Sequence, residues 1–491
     1  MRKILVVLGI VLILGTIGAL SGPRWQPVPV QHQVDSVTED TTIGSSATTT
    51  PEGTYEVGTE VFEVELDGAT VTAQVTYPIG APEDAPGMLF MHGAGTAGHR
   101  NFTDQAQSLA SAGVYVLVPA KRMDTYTLRH RDYPQMADDY MHSLEELRQW
   151  PGVDPDRVGI YGESEGAYIA AVAAADYEQV AFTVLVSAPV VPPREQAAYA
   201  SDAYLRAVGA PTALLRAIPR ALGVSIPGGG FEYADFDVQP YQERLEVPVL
   251  MVYGTEDLSM PVVQGASQLV ADVATNGNDQ VTVRYYGGAN HGIRSNGDLV
   301  EGFTRDMARW TLGLPQTARA DPQVAGAQPE QRYVAAPVAG PRWYADGDWL
   351  LYTLLGSFGL VLTGPAIWAV GKAVRRSSEP TMPAPLARYS AAVGLGAVAA
   401  LVIFAAYLAQ VAQYALNYLT NDVVVVGGYV LVLGVGVLAA WVLHSSLEAA
   451  GKALGSVEWS RLGRVIWSVT HLGAVCLLLI AAYWGVFPSF I

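Results

Sequence analysis

Cysteine is almost absent from this 491-residue chain: Cys476 stands alone, in a strongly apolar C-terminal stretch. The rest of the chain can form no disulfide and no cysteine-ligated metal site, so its stability has to come from a packed core. Lysine is scarce as well, limited to Lys3, Lys121, Lys372 and Lys452, and no segment carries a basic stripe. That pattern argues against nucleic acid as a partner. What the chain does have is acid and apolar surface: 46 Asp+Glu against 29 Lys+Arg, a formal net charge of -17, and 50% hydrophobic residues. So much apolar content excludes an all-soluble protein, and the length exceeds one ordinary domain. The two excesses lie in different places. Residues 22–348 hold 20 basic and 42 acidic residues, whereas residues 349–491 hold 7 basic and 4 acidic ones. An acidic body is joined to an apolar, slightly basic tail.

Residues 1–21 begin with Arg2 and Lys3, followed by 17 uncharged residues from Ile4 to Leu20. This segment reads either as an uncleaved anchor or as a signal peptide removed at Ala19-Leu20-Ser21, and both send the next domain across the membrane. In residues 349–491, four further segments are long enough to cross about 30 Å of hydrocarbon at about 1.5 Å per residue. They run approximately Trp349–Gly371, Tyr389–Ala412, Val423–Leu443 and Val465–Phe487. Basic residues favour the cytoplasmic side, and Lys372, Arg375, Arg376, Arg388, Lys452, Arg461 and Arg464 all fall in the first and third loops. The loop Asn417–Asp422 has none. The expected topology is an N-terminus inside, with the acidic body and the C-terminus outside. Ala392, Gly396 and Ala400 form a small-residue stripe suited to close helix packing. His471 is an ionisable group within a span and so a functional candidate, although no charged pathway accompanies it.

Residues 22–56 are rich in Thr, Ser and Pro and read as a spacer, and residues 316–348, rich in Pro and Ala, read as a second linker. Between them, residues 57–315 alternate strand-length apolar runs with helical patterns. Val61–Leu66 and Thr70–Tyr77 read as an antiparallel pair joined at Asp67-Gly68. Gly87–Met91, Val114–Val118, Val158–Tyr161, Ala181–Val186, Val249–Tyr253 and Val281–Tyr285 read as buried strands separated by helices. The fold class expected is α/β, a mostly parallel sheet covered by helices on both faces, plus an all-α membrane bundle.

Gly162-Glu163-Ser164-Glu165-Gly166 fits G-x-S-x-G between a strand and a helix, the setting in which a serine is thrust out on a strained turn. Such a serine needs a base and an acid to orient that base. Asp257 lies just past the strand Val249–Tyr253, with Glu256 beside it as a rival, and His291 lies just past the last strand. Three strands thus deliver Ser164, Asp257 and His291 to the C-terminal edge of the sheet, in the order Ser, Asp, His. A tetrahedral intermediate also needs donors for its oxygen. The turn His92-Gly93-Ala94-Gly95 supplies small residues for this, with the backbone N–H of Glu165 pairing with that of Gly93 or Ala94. The Glu165 carboxylate would repel an oxyanion unless it is paired or points away.

Together GESEG, HGAG, the YGTEDLSMP strand end and GANHG resemble the α/β-hydrolase family over approximately residues 57–315, most closely its dienelactone hydrolase and prolyl-oligopeptidase-like esterase branches. In those branches the acid follows G-x-x-D-x-x-x-P, which Gly254, Asp257 and Pro261 match. The resemblance also implies a helical lid over the acyl pocket at about residues 190–239, a stretch that includes Leu214, Leu215, Ile218, Leu222, Arg206, Arg216, Arg220 and Gly228-Gly229-Gly230. The function expected is a membrane-anchored serine hydrolase acting on carboxylic esters outside the cytoplasm, on a small or lipid-like acyl substrate, with no metal and no cofactor. A thioesterase, a peptidase or amidase, and a ligand-binding sensor or transport accessory are the alternatives. The tail is expected to contact membrane lipid.

Overall fold

The computed structural model describes every residue except 45–48, 226–229, 376–380, 417, 418, 420, 455–458 and 490–491. Gly228, Gly229, Arg376 and part of the Asn417–Asp422 loop therefore lie outside the described residues. The chain divides into two compact units, one of Pro27–Ala200 with Phe231–Pro337, the other of Met1–Gln26, Ser201–Gly230 and Val338–Ile491.

In chain order, α1 (Arg2–Leu20) precedes β1 (Glu56–Leu66), β2 (Ala69–Ile79), β3 (Ala85–Met91), α2 (Thr103–Ala112), β4 (Tyr115–Pro119), α3 (Tyr133–Arg148) and β5 (Val153–Glu163). Next come α4 (Glu165–Asp176), β6 (Thr183–Val186), α5 (Pro193–Ala207), α6 (Thr212–Leu215), α7 (Ala217–Leu222), α8 (Gln239–Gln242), β7 (Val249–Gly254) and α9 (Val262–Ala274). β8 (Val281–Tyr286), the short pair β9 (Arg294–Ser295) and β10 (Asp298–Leu299), α10 (Phe303–Leu312) and β11 (Val324–Gly326) complete the sheet region. Four long helices follow: α11 (Gly347–Arg375), α12 (Ala384–Leu416), α13 (Gly428–Ala453) and α14 (Arg461–Trp484).

Nine strands form one sheet in the order β1-β2-β4-β3-β5-β6-β7-β8-β11. The β1–β2 and β2–β4 pairings are antiparallel, and every pairing from β4 to β11 is parallel. Side chains alternate between two cores, as a strand's period of two requires. Leu89 and Met91 of β3 and Val249, Met251 and Tyr253 of β7 face the core shared with α3, α4 and α9. Met88 and Phe90, with Leu250 and Val252, face the core shared with α2 and α10. Because β3 and β5–β8 are parallel and central, their C-terminal ends converge on one edge.

The spacer and linker read from composition are partly packed. Residues 324–326 add β11 to the edge of the sheet, and the Gly326 amide donates to the Thr38 carbonyl. The Thr41 hydroxyl bonds Asp306 at 2.6 Å, and Ile43 is buried. Such edge-lining segments make their contacts singly, so they carry no periodic apolar signal.

Among the described residues, the other unit contains five helices long and apolar enough to cross a membrane, α1, α11, α12, α14 and the run Val423–Ala453, in which a π turn at Val423–Gly427 opens α13. α12 and α13 extend beyond the apolar windows read from the sequence because helical hydrogen bonding continues through polar residues such as His444 and Ser445. α14 packs against α1, α11 and α12, and α1 also packs on α13. A side chain at Gly18 would lie 2.0 Å from the Ala482 carbonyl oxygen, so α1 and α14 touch backbone to backbone. Gly396 similarly faces Ala439 of α13, the close packing expected of its stripe. His471 is buried with both ring nitrogens bonded, Nδ1 to the Trp467 carbonyl at 2.7 Å and Nε2 to Ser446 Oγ at 2.8 Å.

The lid segment is helical, yet its middle, Ser201–Gly230, belongs to the unit of long helices. Trp25 Nε1 donates to Asp202 at 2.7 Å, the Tyr204 hydroxyl donates to the Leu419 carbonyl, and Leu214, Leu215 and Ile218 are buried.

Candidate active site

Ser164 sits between β5 and α4 at φ 57° and ψ -121°, a positive-φ conformation that costs a non-glycine residue of order 1–3 kcal/mol. The surrounding backbone enforces it. The Ser164 amide donates to the Val186 carbonyl at 2.9 Å. A side chain at Gly166 would lie 2.5 Å from the Met91 carbonyl oxygen, and one at Gly162 would lie 2.5 Å from the Gly166 carbonyl oxygen. Both glycines of the motif are thus required by close approach. On the opposite side of the turn, the Cβ position of Gly93 lies 3.2 Å from Ser164 Cβ.

Asp257 and His291 are brought together. His291 Nδ1 lies 2.8 Å from Asp257 Oδ2; a carboxylate accepts, so Nδ1 carries a proton, and Nε2 is an acceptor when the ring is neutral. Asp257 Oδ1 in turn accepts from the amides of Ser259 at 2.8 Å and Met260 at 3.2 Å, and its side chain is fully buried. Neighbouring Glu256 is exposed. Of the two neighbouring carboxylates, Asp257 is the one that is buried and bonded to His291. Gly254 lets the two loops meet, since a side chain there would lie 2.2 Å from the Ala289 carbonyl oxygen. Ser187, itself at φ 46°, donates from its hydroxyl to the His291 carbonyl at 2.7 Å. The loops after β5, β6, β7 and β8 are therefore tied at one edge.

Burial works to lower the His291 pKa, but the charge and hydrogen bond of Asp257, with a further contribution from the Glu163 charge, lift it above the ordinary histidine value of 6.5. If His291 serves as a base, it must be unprotonated. The acid limb of kcat/KM is then expected above pH 6.5, and Glu163→Gln is expected to move that limb to lower pH, checked by a pH–rate profile on an ester. Glu163 itself accepts from the Tyr161 hydroxyl at 2.6 Å, and burial raises its pKa.

The Glu165 carboxylate, which the sequence leaves as an unresolved repulsion, is buried and surrounded by donors. Arg131 Nη1 lies at 2.5 Å, the Tyr126 hydroxyl at 2.8 Å, the Tyr133 hydroxyl at 3.2 Å and Lys121 Nζ at 3.5 Å. Lys121 also donates to the Gly93 carbonyl at 2.6 Å, which ties the candidate oxyanion loop to β4. Burial lowers the Lys121 pKa against the opposing charge of Glu165. Lys121→Met is expected to reduce kcat roughly 10- to 100-fold with little change in KM, the scale seen when supporting residues of a site are lost, measured by steady-state kinetics beside a thermal melt. Sequence reasoning missed this cluster. Its signal lies in segment 121–133, where the acidic body's lone lysine stands among arginines and tyrosines.

His92, beside this loop, is buried, and burial lowers its pKa to about 4. Its Nε2 donates to the Pro119 carbonyl at 2.8 Å, so the neutral ring shapes the turn. Among the described residues, no group of three or more His, Cys, Asp or Glu side chains is arranged to hold a metal ion.

The sheet order, the turn carrying Ser164 and the loops carrying Asp257 and His291 together define the sheet unit as an α/β-hydrolase domain, here accompanied by a helical region with several candidate spans. The sequence model of the BAAT / Acyl-CoA thioester hydrolase C terminal family matches residues 139–295. Similar solved structures include a protein assigned as a dienelactone hydrolase, from Klebsiella pneumoniae subsp. pneumoniae MGH 78578, with 16% identity, a TM-score of 0.38, and coverage of 54% of this chain and 99% of that one. Acylaminoacyl peptidase from Pyrococcus horikoshii aligns with 16% identity and a TM-score of 0.40, over 56% of this chain and 42% of that one. This chain thus spans less than half of that peptidase. A cold-adapted esterase from an Arctic intertidal metagenomic library aligns with 16% identity and a TM-score of 0.34, over 52% of this chain and 94% of that one. The search of curated proteins returns no match.

Proposed function

We propose that the chain is a membrane-anchored serine hydrolase that cleaves carboxylic esters through an acyl-enzyme. The observation that carries this reading is the His291–Asp257 pair at the sheet edge where Ser164 stands on its strained turn; with Nδ1 engaged by the carboxylate, Nε2 of the neutral ring is the acceptor. Ser164 Oγ attacks the ester carbonyl carbon as its proton passes to His291 Nε2. The N–H groups of Glu165 and of Gly93 or Ala94 hold the resulting oxyanion. The imidazolium then protonates the leaving alkoxide as the C–O bond breaks. Water, deprotonated by His291, attacks the acyl-enzyme, and Ser164 recovers its proton as the acid departs. Asp257 keeps the imidazole in the required tautomer and stabilises it when charged.

Membrane anchoring is supported by the five long apolar helices, and an extracytoplasmic site by the basic residues confined to alternate loops. The close packing of α1 on α14 favours an N-terminal segment that stays as an anchor.

A thioester substrate is the second reading, favoured by the match of residues 139–295 to a family described by acyl-CoA thioester hydrolysis. Both readings share the same chemistry up to the leaving group. The test is a substrate series on the purified full chain, p-nitrophenyl esters of graded acyl length against matched acyl thioesters and an amino-acid anilide. The ester reading expects the highest kcat/KM on esters. A thioester preference at equal acyl chain would replace it, and turnover of the anilide alone would contradict both.

A further inference from the structure

Two tether segments of the sheet unit, one that follows α1 in the chain and one that precedes α11, run side by side. The Val30 amide donates to the Arg332 carbonyl at 3.1 Å and the Val334 amide to the Val28 carbonyl at 2.8 Å, an antiparallel pairing around Pro29 and Tyr333. Side chains reinforce it. Gln33 Nε2 donates to the Gln331 carbonyl at 2.9 Å, and the Gln331 amide donates back to Gln33 Oε1 at 3.3 Å. Gln331 is thereby held at its backbone, and it is 4% exposed.

Its side chain reaches a helix that cannot cap itself. The first amides of a helix have no partner within it, and a Ser, Thr, Asp or Asn in the capping position commonly accepts from the second or third. α9 has Pro261 in that position, and proline has no side-chain acceptor. The Val262 amide turns to the Met260 carbonyl at 3.0 Å, and the Gly265 amide to the Pro261 carbonyl at 2.7 Å. The two amides between them, of Val263 and Gln264, donate to Gln331 Oε1 at 2.8 and 3.0 Å. Gln331 Nε2 donates to the Tyr333 carbonyl at 2.8 Å, which sets the oxygen end of the side-chain amide toward the helix. The tether thus supplies the cap that α9 lacks.

The start of α9 carries the Asp257 loop. Asp257 Oδ1 accepts from the amides of Ser259 and Met260, and Met260 is followed directly by Pro261, whose ring limits rotation of the chain there. Fixing the amides of Val263 and Gln264 therefore also fixes the donors that aim Asp257 Oδ2 at His291 Nδ1. We propose that Gln331 is a positioning residue for the triad carboxylate: by capping α9 it holds the Asp257 loop in the geometry that orients His291. This rests on the reading of Asp257 as the carboxylate of a Ser164–His291 pair. The catalytic unit then takes in both tethers and extends past residues 57 and 315, the limits read from the sequence.

The test compares Gln331→Met with Gln264→Met in the purified full chain, beside the wild type and Ser164→Ala, by pH–rate profiles on a p-nitrophenyl ester. The Gln264 side chain ties the same tether to the same helix, accepting from the Ala335 amide at 2.8 Å and donating to the Ala335 carbonyl at 3.1 Å, but takes no part in the cap. Gln331→Met is expected to lower kcat roughly 10-fold with little change in KM, and to move the acid limb of kcat/KM down by roughly half a pH unit. The direction follows because the charges that raise the His291 pKa are those of Asp257 and Glu163, and the lost cap loosens only the first. Gln264→Met should keep the wild-type kcat and limb. The position of the limb does not depend on how much of the protein is folded, so a variant with a low melting temperature still reports. A wild-type kcat and limb in Gln331→Met, or equal changes in the two variants, would overturn the assignment and leave the Ser164 reading standing. A wild type without Ser164-dependent hydrolysis would overturn both.

Discussion

Ser164→Ala is expected to lower kcat on a p-nitrophenyl ester by about 10,000-fold or more while leaving the melting temperature nearly unchanged. In the proposed mechanism the size follows from losing the nucleophile. What survives in such variants is water attack assisted by the oxyanion donors and binding, since triad members act as a unit. The unchanged stability follows from the backbone. Alanine at φ 57° is strained as serine is, and the Ser164 amide bond to Val186 does not depend on the side chain. Steady-state kinetics and calorimetry on the same preparation check both halves. A loss of activity accompanied by a large fall in melting temperature would mean that the turn had collapsed and would say nothing of the nucleophile.

Asp257→Asn is expected to reduce kcat about 1,000-fold or more, whereas Glu256→Gln should stay close to wild type. An amide at position 257 can turn its NH2 toward His291 Nδ1, which reverses the tautomer and places the proton on Nε2, where the base is needed. The amides of Ser259 and Met260, which donate to Asp257 Oδ1, would hold the amide oxygen on their side and so favour that orientation. Glu256 is exposed, and its backbone amide donates to the Ala289 carbonyl at 2.9 Å. Kinetics on the two variants side by side provide the check. Equal losses would show that the carboxylates share the task; a larger loss in Glu256→Gln would reverse the assignment.

The sheet was legible because its central strands are short apolar runs ending in loops with chemical motifs. Val249–Gly254, followed by the Asp257 loop, is the plainest instance. The Ser164 turn was legible because two glycines at fixed spacing are imposed by contacts with the Met91 and Gly166 carbonyls. The nest around Glu165 was not legible, since Lys121, Tyr126 and Arg131 lie on a segment without regular structure, whose path no periodicity encodes. β11 was hidden for a related reason: three residues, one of them glycine, give no strand pattern. The membership of Ser201–Gly230 in the unit of long helices was equally invisible. An apolar stripe on α6 and α7 announces that it will be buried, but not against what.

The central claim is that Ser164 is an activated nucleophile, and the most direct measurement is labelling of the full chain with a fluorophosphonate, followed by mass spectrometry of the adduct. The expected result is a single stoichiometric adduct on Ser164, absent from Ser164→Ala and slowed in Asp257→Asn. A folded wild-type protein that takes no label, or a label carried by another residue and retained in Ser164→Ala, would contradict it.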